Sequence, residues 1–506
     1  MMDGLPEDAF VTVGERVDGE ASYVRESQGY FKDAWNRFRR NKASLTALII
    51  IFCIVLFAFI VPIAYSGRDS TFLDPYYAKK GPRISFLSGG VNFLSGESKR
   101  TVSMRGMVRL FAIGRGSGDE DEYSPILKYK RIEDTSGRAS FKVSVDSYLE
   151  VGFVYMNISK DEYFDILEFE KKEGVRVLYP LIEANSLCPD FNDANAWFCA
   201  NARGDAVKPV YEGEELVGTE VIPFSPDMEL YDNYKRDSEG VPIIYQYSGG
   251  GTHDSAQRRV RVLYHNYFKY KNSHPPSYLL GTDSQGYDLA IRLAGGIRLS
   301  LLLAFSVSAI NLIIGSLIGA VMGYYGGTLD LLLSRVIDII SGVPAIVVQT
   351  LFQIYLASRV GVIPSLLFAF VLTGWIGTAV RVRGQFYRFK GMEYVMSART
   401  LGASDGRIIW KHIFPNTLGT VITASVLIIP GVIFTESMLS FLGIVNLGGS
   451  RVTSLGALLS DASGIWTGYP HLMLYPALVI SLLMICFNLF GNGLRDAFNP
   501  TLRGAE

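Results

Sequence analysis

Residues 44–64 read SLTALIIIFCIVLFAFIVPIA, 21 residues without a charge. A bilayer core of ~30 Å takes about 20 apolar helical residues, so this run predicts a membrane span. Arg37, Arg39, Arg40 and Lys42 stand just before it, a basic flank of the kind that stays in the cytoplasm. A long charged leader and no small-x-small cleavage site favour an uncleaved anchor over a signal peptide. Five further apolar runs follow only after residue 298, at 299–322, 336–357, 363–380, 421–441 and 472–490. Six crossings put both termini on one side.

Charge fixes which side. Residues 1–43 and 381–420 carry seven Lys or Arg each, whereas the two short loops on the other face carry only Arg359 and Arg451. Both termini are therefore expected in the cytoplasm. Over the whole chain 48 basic residues meet 49 acidic ones, so no global field recruits nucleic acid. Gly315, Gly319 and Gly323 share one face of the second run, which suits close helix packing or, less simply, a backbone-lined path.

The long stretch between the first two spans is expected outside. Alternating runs at 141–145, 175–179 and 260–264 predict strands. Breaks are expected at 114–118, at the acidic 119–122 and at the glycines 249–251. Its many Tyr, Phe, Val and Ile can fill a core, so it reads as a folded α+β domain. FLSG occurs at 86–89 and 93–96, too little for a repeat architecture. Cys188 and Cys199 are predicted to form a disulfide there, whereas Cys53 and Cys486 fall in spans and stay free.

No catalytic constellation appears. The dipeptide Gly-Lys never occurs, so a P-loop is absent. The five histidines include no His-Glu-x-x-His, and there is no Cys-x-x-Cys, so no metal site is expected. Residues 402–406, GASDG, fit the nucleophile-elbow pattern, but that turn needs a preceding strand, and 393–401 is helical in composition. Read as a hairpin, the segment makes more sense. A short helix over 393–401 ends at Gly402, Ser404 or Asp405 caps a second helix over 406–413, and Pro415 stops it. Such a basic hairpin tied to spans suits docking of a cytoplasmic protein.

The full segment 393–416, EYVMSARTLGASDGRIIWKHIFPN, resembles the EAA loop of binding-protein-dependent ABC importer permeases, in the dipeptide/oligopeptide and nickel branch, C-type subunit. Ser397, Ala398, Gly402, Phe414 and Pro415 occupy the loop's places, with Met396 and Ser397 standing for the name-giving Glu and first Ala. RFRRNK at 37–42, GYYGG at 323–327, TESMLSFLG at 435–443 and FNLFGNGLRD at 487–496 extend the match. So does GTDSQGYD at 281–288, with Gly281, Thr282, Asp283, Gly286 and Asp288 in place and Tyr287 replacing an arginine. The middle two hundred residues have no counterpart in the family pattern.

The resemblance implies an α-helical polytopic membrane protein, a type I ABC importer permease of six transmembrane helices, with an inserted β-rich α+β extracytoplasmic domain. The expected segments are 1–43 cytoplasmic, 44–65 first span, 66–297 inserted domain, 298–495 five-helix core with the EAA loop at 385–420, and 496–506 cytoplasmic tail. It implies an ATP-driven peptide importer in the inner membrane, itself no enzyme and holding no cofactor. ATP and Mg belong to two partner ATPases, which dock through Glu393, Ser397, Ala398, Arg399, Gly402, Ala403, Phe414 and Pro415. A second homologous permease, membrane lipid and an extracytoplasmic substrate-binding protein complete the partners. Glu436 in the fifth span is a candidate pathway residue for a peptide ammonium, against the simpler account of a buried hydrogen bond. Asp338 and Arg335 read as a local helix-end pair. A nickel or other small-solute permease is the alternative within the class; a membrane-anchored receptor with an external sensor is the alternative outside it. The inserted domain is expected to sit over the outer mouth and either dock the binding protein or brace the two permeases.

Overall fold

The computed structural model describes residues 30–64, 73–83, 95–133, 139–188, 190, 192–213, 215–248, 257–448 and 453–498. The glycines 249–251, the FLSG copy at 86–89, Arg451 and the tail 499–506 lie outside them. Among the described residues five helices are long and apolar enough to cross a membrane: Lys42–Ala64, Leu289–Tyr325, Val362–Phe389, Asp405–Phe441 and Pro470–Phe498. A sixth crossing exists only if Gly327–Ser341 and Ala345–Tyr355 make one span, and these are bent by 73°. The straight helix expected over 336–357 is thus broken in its middle. Pro344 lacks an amide hydrogen and crowds the residue before it, so the first helix ends and a second starts just beyond it.

The second and fifth spans have 37 residues each. At 1.5 Å per residue that is about 55 Å, well beyond the ~30 Å of hydrocarbon, so both project from the bilayer. The glycine face of the second span packs on the fourth. A Cβ at Gly319 would lie 2.4 Å from Ala379 O, and one at Gly323 2.7 Å from Arg383 O. Close backbone approach, not a path, is what those glycines provide.

The first span joins the sixth at one end and the second at the other. Ser44 Oγ donates to Leu489 O at 3.1 Å, and the helix Tyr30–Arg40 buries Ala34 and Phe38 against Ala497. At the opposite end Val61 packs on Ala290, Ile291 and Ala294. Helix Tyr30–Arg40, Tyr324 and the end of the sixth span therefore lie on one side of the bundle. The inserted region and Asp288 lie on the other.

The inserted region is α+β. Strands β1 (Glu97–Ser103), β2 (Ile126–Glu133) and β3 (Ala139–Asp146) form an antiparallel sheet of order β1-β3-β2. Its apolar face, Phe141, Val143 and Val145, is covered by Met107 and Leu110 of the helix Met104–Ser117. The break expected at 114–118 is in fact the last turn of that helix, and only Gly118 is left-handed. Gly116 is there for contact: its Cβ would meet the Trp197 ring nitrogen at 2.6 Å. Asp119 caps a further short helix, Glu120–Tyr123, where a turn was expected.

A second sheet pairs β4 (Phe153–Ile158), β5 (Leu178–Tyr179) and β8 (Tyr245–Ser248) with β9 (Gln257–Leu263). The strand expected over 175–179 is only two residues long, and Tyr264 begins a helix instead of ending a strand. Strands β6 (Val207–Glu212) and β7 (Glu215–Val221) make a separate hairpin. Arg261 of β9 is fully buried, with no carboxylate paired to it among the described residues. Its guanidinium donates to Ala194 O at 2.7 Å and Pro180 O at 3.2 Å, stacks on Phe153, and is lowered by burial to about 10.

Candidate functional site

The hairpin begins with the helix Glu393–Thr400. Gly402 has φ +82°, where a side chain is strained. Its N–H bonds Arg399 O at 3.0 Å, and Ala403 N–H bonds Ala398 O at 3.1 Å. This is a Schellman closure, which places the small Ala398 and Ala403 at the sharp turn. Ser397 Oγ folds back onto Glu393 O at 2.8 Å.

The return helix does not stop at Pro415. It runs from Asp405 through a π-helical stretch, Ile408–Ile413, into Phe414–Val426 and on to Phe441. Phe414 N–H bonds Ile409 O, a five-residue step. That wider register leaves Pro415 in the first turn of the next α segment, where its missing N–H is harmless. Hairpin and fifth span are therefore one continuous rod. Ser404 occupies the cap position of this rod without a side-chain cap bond.

Tyr324, at the end of the second span, latches both arms. Its hydroxyl donates to Asp405 Oδ1 at 2.5 Å and accepts from Arg399 Nη2 at 3.2 Å. Beneath it Val395, Ile408, Ile409 and Ile413 pack on Ala320, Val382 and Phe386. Beside the latch, Arg383 and Tyr387 both donate to Asp330, and Lys390 Nζ donates to Gly323 O at 3.1 Å. Apolar side chains of the hairpin stand exposed: Met396, Trp410 and above all Leu401, which is 87% exposed. Glu393, Ser397, Arg399, Gly402 and Pro415 are exposed with it, while Ala398, Ala403 and Phe414 are half-buried.

The 281–288 motif lies at the other end of the bundle and works as a clasp. Thr282 Oγ1 donates to Tyr77 O and accepts from Lys80 N–H at 2.9 Å. Asp283 Oδ1 accepts from the amides of Gln285, Gly286 and Tyr287, each at 2.9 Å, and its other oxygen faces Arg292 at 3.4 Å. Asp288 caps the second span through Ala290 N–H at 2.9 Å. Gly281 and Gly286 admit the chain that follows the first span: a Cβ at either would lie 2.3 Å from Lys80 O or 2.0 Å from Asp74 O. Asp74 in turn accepts from Tyr264 Oη at 2.7 Å; burial, then the Asp74 charge, hold that phenol well above its usual range. Tyr287, in the arginine's place, lies under the Arg292 guanidinium at 4.9 Å.

Residues 315–504 match the family described as binding-protein-dependent transport system inner membrane component, and residues 29–82 match the N-terminal TM domain of oligopeptide transport permease C. The oligopeptide transport system permease protein OppC of Bacillus subtilis is 38% identical over 231 residues, 45% of this chain and 74% of that protein. The chain belongs to this transport family. The dipeptide permease DppC of Bacillus subtilis is 39% identical (45% of this chain, 71% of that one), and OppC of Haemophilus influenzae 41% (44% and 70%). Among solved structures, the MetNI methionine ABC transporter is 16% identical with a TM-score of 0.34, covering 40% of this chain and 94% of that one. In this inner membrane component the two family matches leave residues 83–314 between them, so the insertion is flanked by family sequence on both sides.

Glu436 of the transport component is 1% exposed. Ser300 Oγ donates to its carboxylate at 2.9 Å and Ser440 Oγ at 3.1 Å, so the buried hydrogen-bond account describes its place in this chain. Arg335 and Asp338 pair at 3.1 Å as expected of a local pair. Cys188 and Cys199 are not bridged: both thiols are free and buried. Cys188 Sγ donates to Ala196 O at 3.4 Å and Cys199 Sγ to Asp232 O at 3.6 Å, so each has its own backbone partner within an apolar cluster. Sequence reasoning missed Tyr324 as the latch. Its one signal was the GYYGG match, which carried no role.

Proposed function

We propose that this chain is a pathway-forming permease subunit of an ATP-driven peptide importer. Its hairpin end, with both termini, faces the cytoplasm, a reading that the Lys/Arg distribution supports. The observation that carries the coupling role is the hairpin: one arm is continuous with the fifth span, and Tyr324 locks both arms to the second. A displacement applied to the exposed Leu401 surface is thereby passed to two spans as a rigid unit. Two partner ATPases bind there and hold the ATP and Mg. A second, homologous permease completes the pathway, and a soluble binding protein delivers cargo at the clasp end. Peptide cargo is supported by relatives named for oligopeptide and dipeptide transport.

The test is uptake by the complete complex in proteoliposomes, with labelled di- and oligopeptides and with nickel. ATP-dependent peptide uptake is expected. Nickel uptake without peptide uptake would overturn the cargo, and ATP-independent uptake would overturn the class.

A further inference from the structure

One face of the sheet β1-β3-β2 packs on the helix Met104–Ser117; the other is exposed at its lysines, while Ser144 and Asp146 on it are buried. Register puts Lys99, Lys128, Lys130 and Lys142 together on the other, with Ser144 opposite both Lys99 and Lys128. Lys130 and Lys142 are direct cross-strand partners, an arrangement of like charges that destabilises a sheet. The anions nearby are already engaged: Asp146 by Arg83 at 3.0 Å, Glu97 by Lys99 at 3.3 Å, and Glu150 by Arg100. Among the described residues the side chains of Lys128, Lys130 and Lys142 make no ion pair or hydrogen bond, although the Lys128 charge, after Ser144 and Lys99, helps hold the Glu97 carboxyl below its usual range. They line a groove of about 790 Å³, within the ~300–1,000 Å³ typical of small-ligand sites. Among the described residues β1 and β2 are the edge strands, each paired only with β3, and an edge strand is the feature that an extended main chain pairs with.

We propose that this groove binds short acidic peptides in extended form. Three unpaired ammonium groups meet the carboxylates, and a strand edge meets the peptide backbone. The inference rests on the peptide-importer reading and narrows it: the inserted region becomes a receiving site for anionic cargo on the side where cargo arrives. Lysine ammoniums are compact charges that remain hydrated, so binding should be salt-sensitive and tolerant of the order of acidic residues.

The probe is a fluorescein-labelled pentapeptide with three glutamates, with glutamine and lysine versions as controls, titrated onto the purified full-length chain. The acidic peptide should bind at least tenfold tighter than either control, and less tightly as salt rises. The triple variant Lys128→Gln/Lys130→Gln/Lys142→Gln changes only exposed side chains, and its unchanged circular dichroism would show that it folds. It should lose about tenfold in acidic-peptide affinity, the scale of three exposed charge contacts, and most of the salt dependence. Equal binding of the three peptides, or unchanged acidic-peptide binding by the triple variant, would overturn the site. So would a variant that loses only binding to phosphatidylglycerol vesicles, which would make the face a lipid contact. If the site fails while the complex still imports neutral peptide, the importer reading stands.

Discussion

Burial, with Arg83 and Lys269 adding to it, lowers the His265 imidazole from its ordinary 6.5 to about 3. Between those two pH values the unfolded chain binds a proton that the folded one does not, so stability rises with pH across that window and falls on acidification. The slope is at most about 1.4 kcal/mol per pH unit. Melting of the inserted region followed from pH 7 to pH 4 should show this loss, and His265→Phe should flatten it; an equally steep profile in the variant would place the titration elsewhere. The cysteines give a second residue-scale prediction. Four thiols should react with an aromatic disulfide reagent in denaturant without prior reduction, since none is bridged. Only two reactive thiols would restore the Cys188–Cys199 bond. Spacing in a polar stretch spoke for a bridge, but it carries no information on where each sulfur points. Here both thiols point to backbone carbonyls.

At the scale of elements, the apolar runs were legible because hydrocarbon thickness sets their length, and every expected span contains a helix or, in one case, two. What hydropathy could not show was how far a helix continues once it leaves lipid. The fifth span starts sixteen residues before its apolar run because Asp405 to Asn416 are polar enough to escape a hydropathy reading yet stay helical. The left-handed Gly402 was readable from its position after a helical run, whereas Pro415 misled because a π stretch removes its penalty. Gly114 and Gly116 misled likewise, since glycine marks close packing as well as turns. The packed glycine face of the second span yields a prediction. Gly319→Val would drive a side chain into Ala379 and Val382 and should cost about 1–3 kcal/mol, lowering the melting temperature of the purified chain. Gly295→Ala on the same helix, where a Cβ meets only the far end of Arg298 at 3.9 Å, should be nearly silent. Equal melting of the two variants would contradict the tight second–fourth contact.

Across the whole molecule, the clasp and the hairpin sit at opposite ends of the second span, so that one helix connects the inserted region to the hairpin. The insertion itself is held by Asp74–Tyr264 and by the Arg83–Tyr278 backbone pair, outside the sheets. Replacing residues 95–262 by a short Gly/Ser linker keeps those ties, so the complex should still assemble. Its binding-protein affinity or its cargo uptake should then fall; both unchanged in an assembled complex would leave the insertion only a bracing role. The proposed coupling role has the hairpin transmit ATP-driven motion to the spans. It is tested most directly by cargo-stimulated ATP hydrolysis of the reconstituted complex carrying Gly402→Asp. A side chain at φ +82° costs about 1 kcal/mol or more and reopens the turn that presents Leu401. The predicted result is an inserted, assembled complex whose ATP hydrolysis no longer responds to cargo; normal stimulation and normal uptake in that variant would contradict the account.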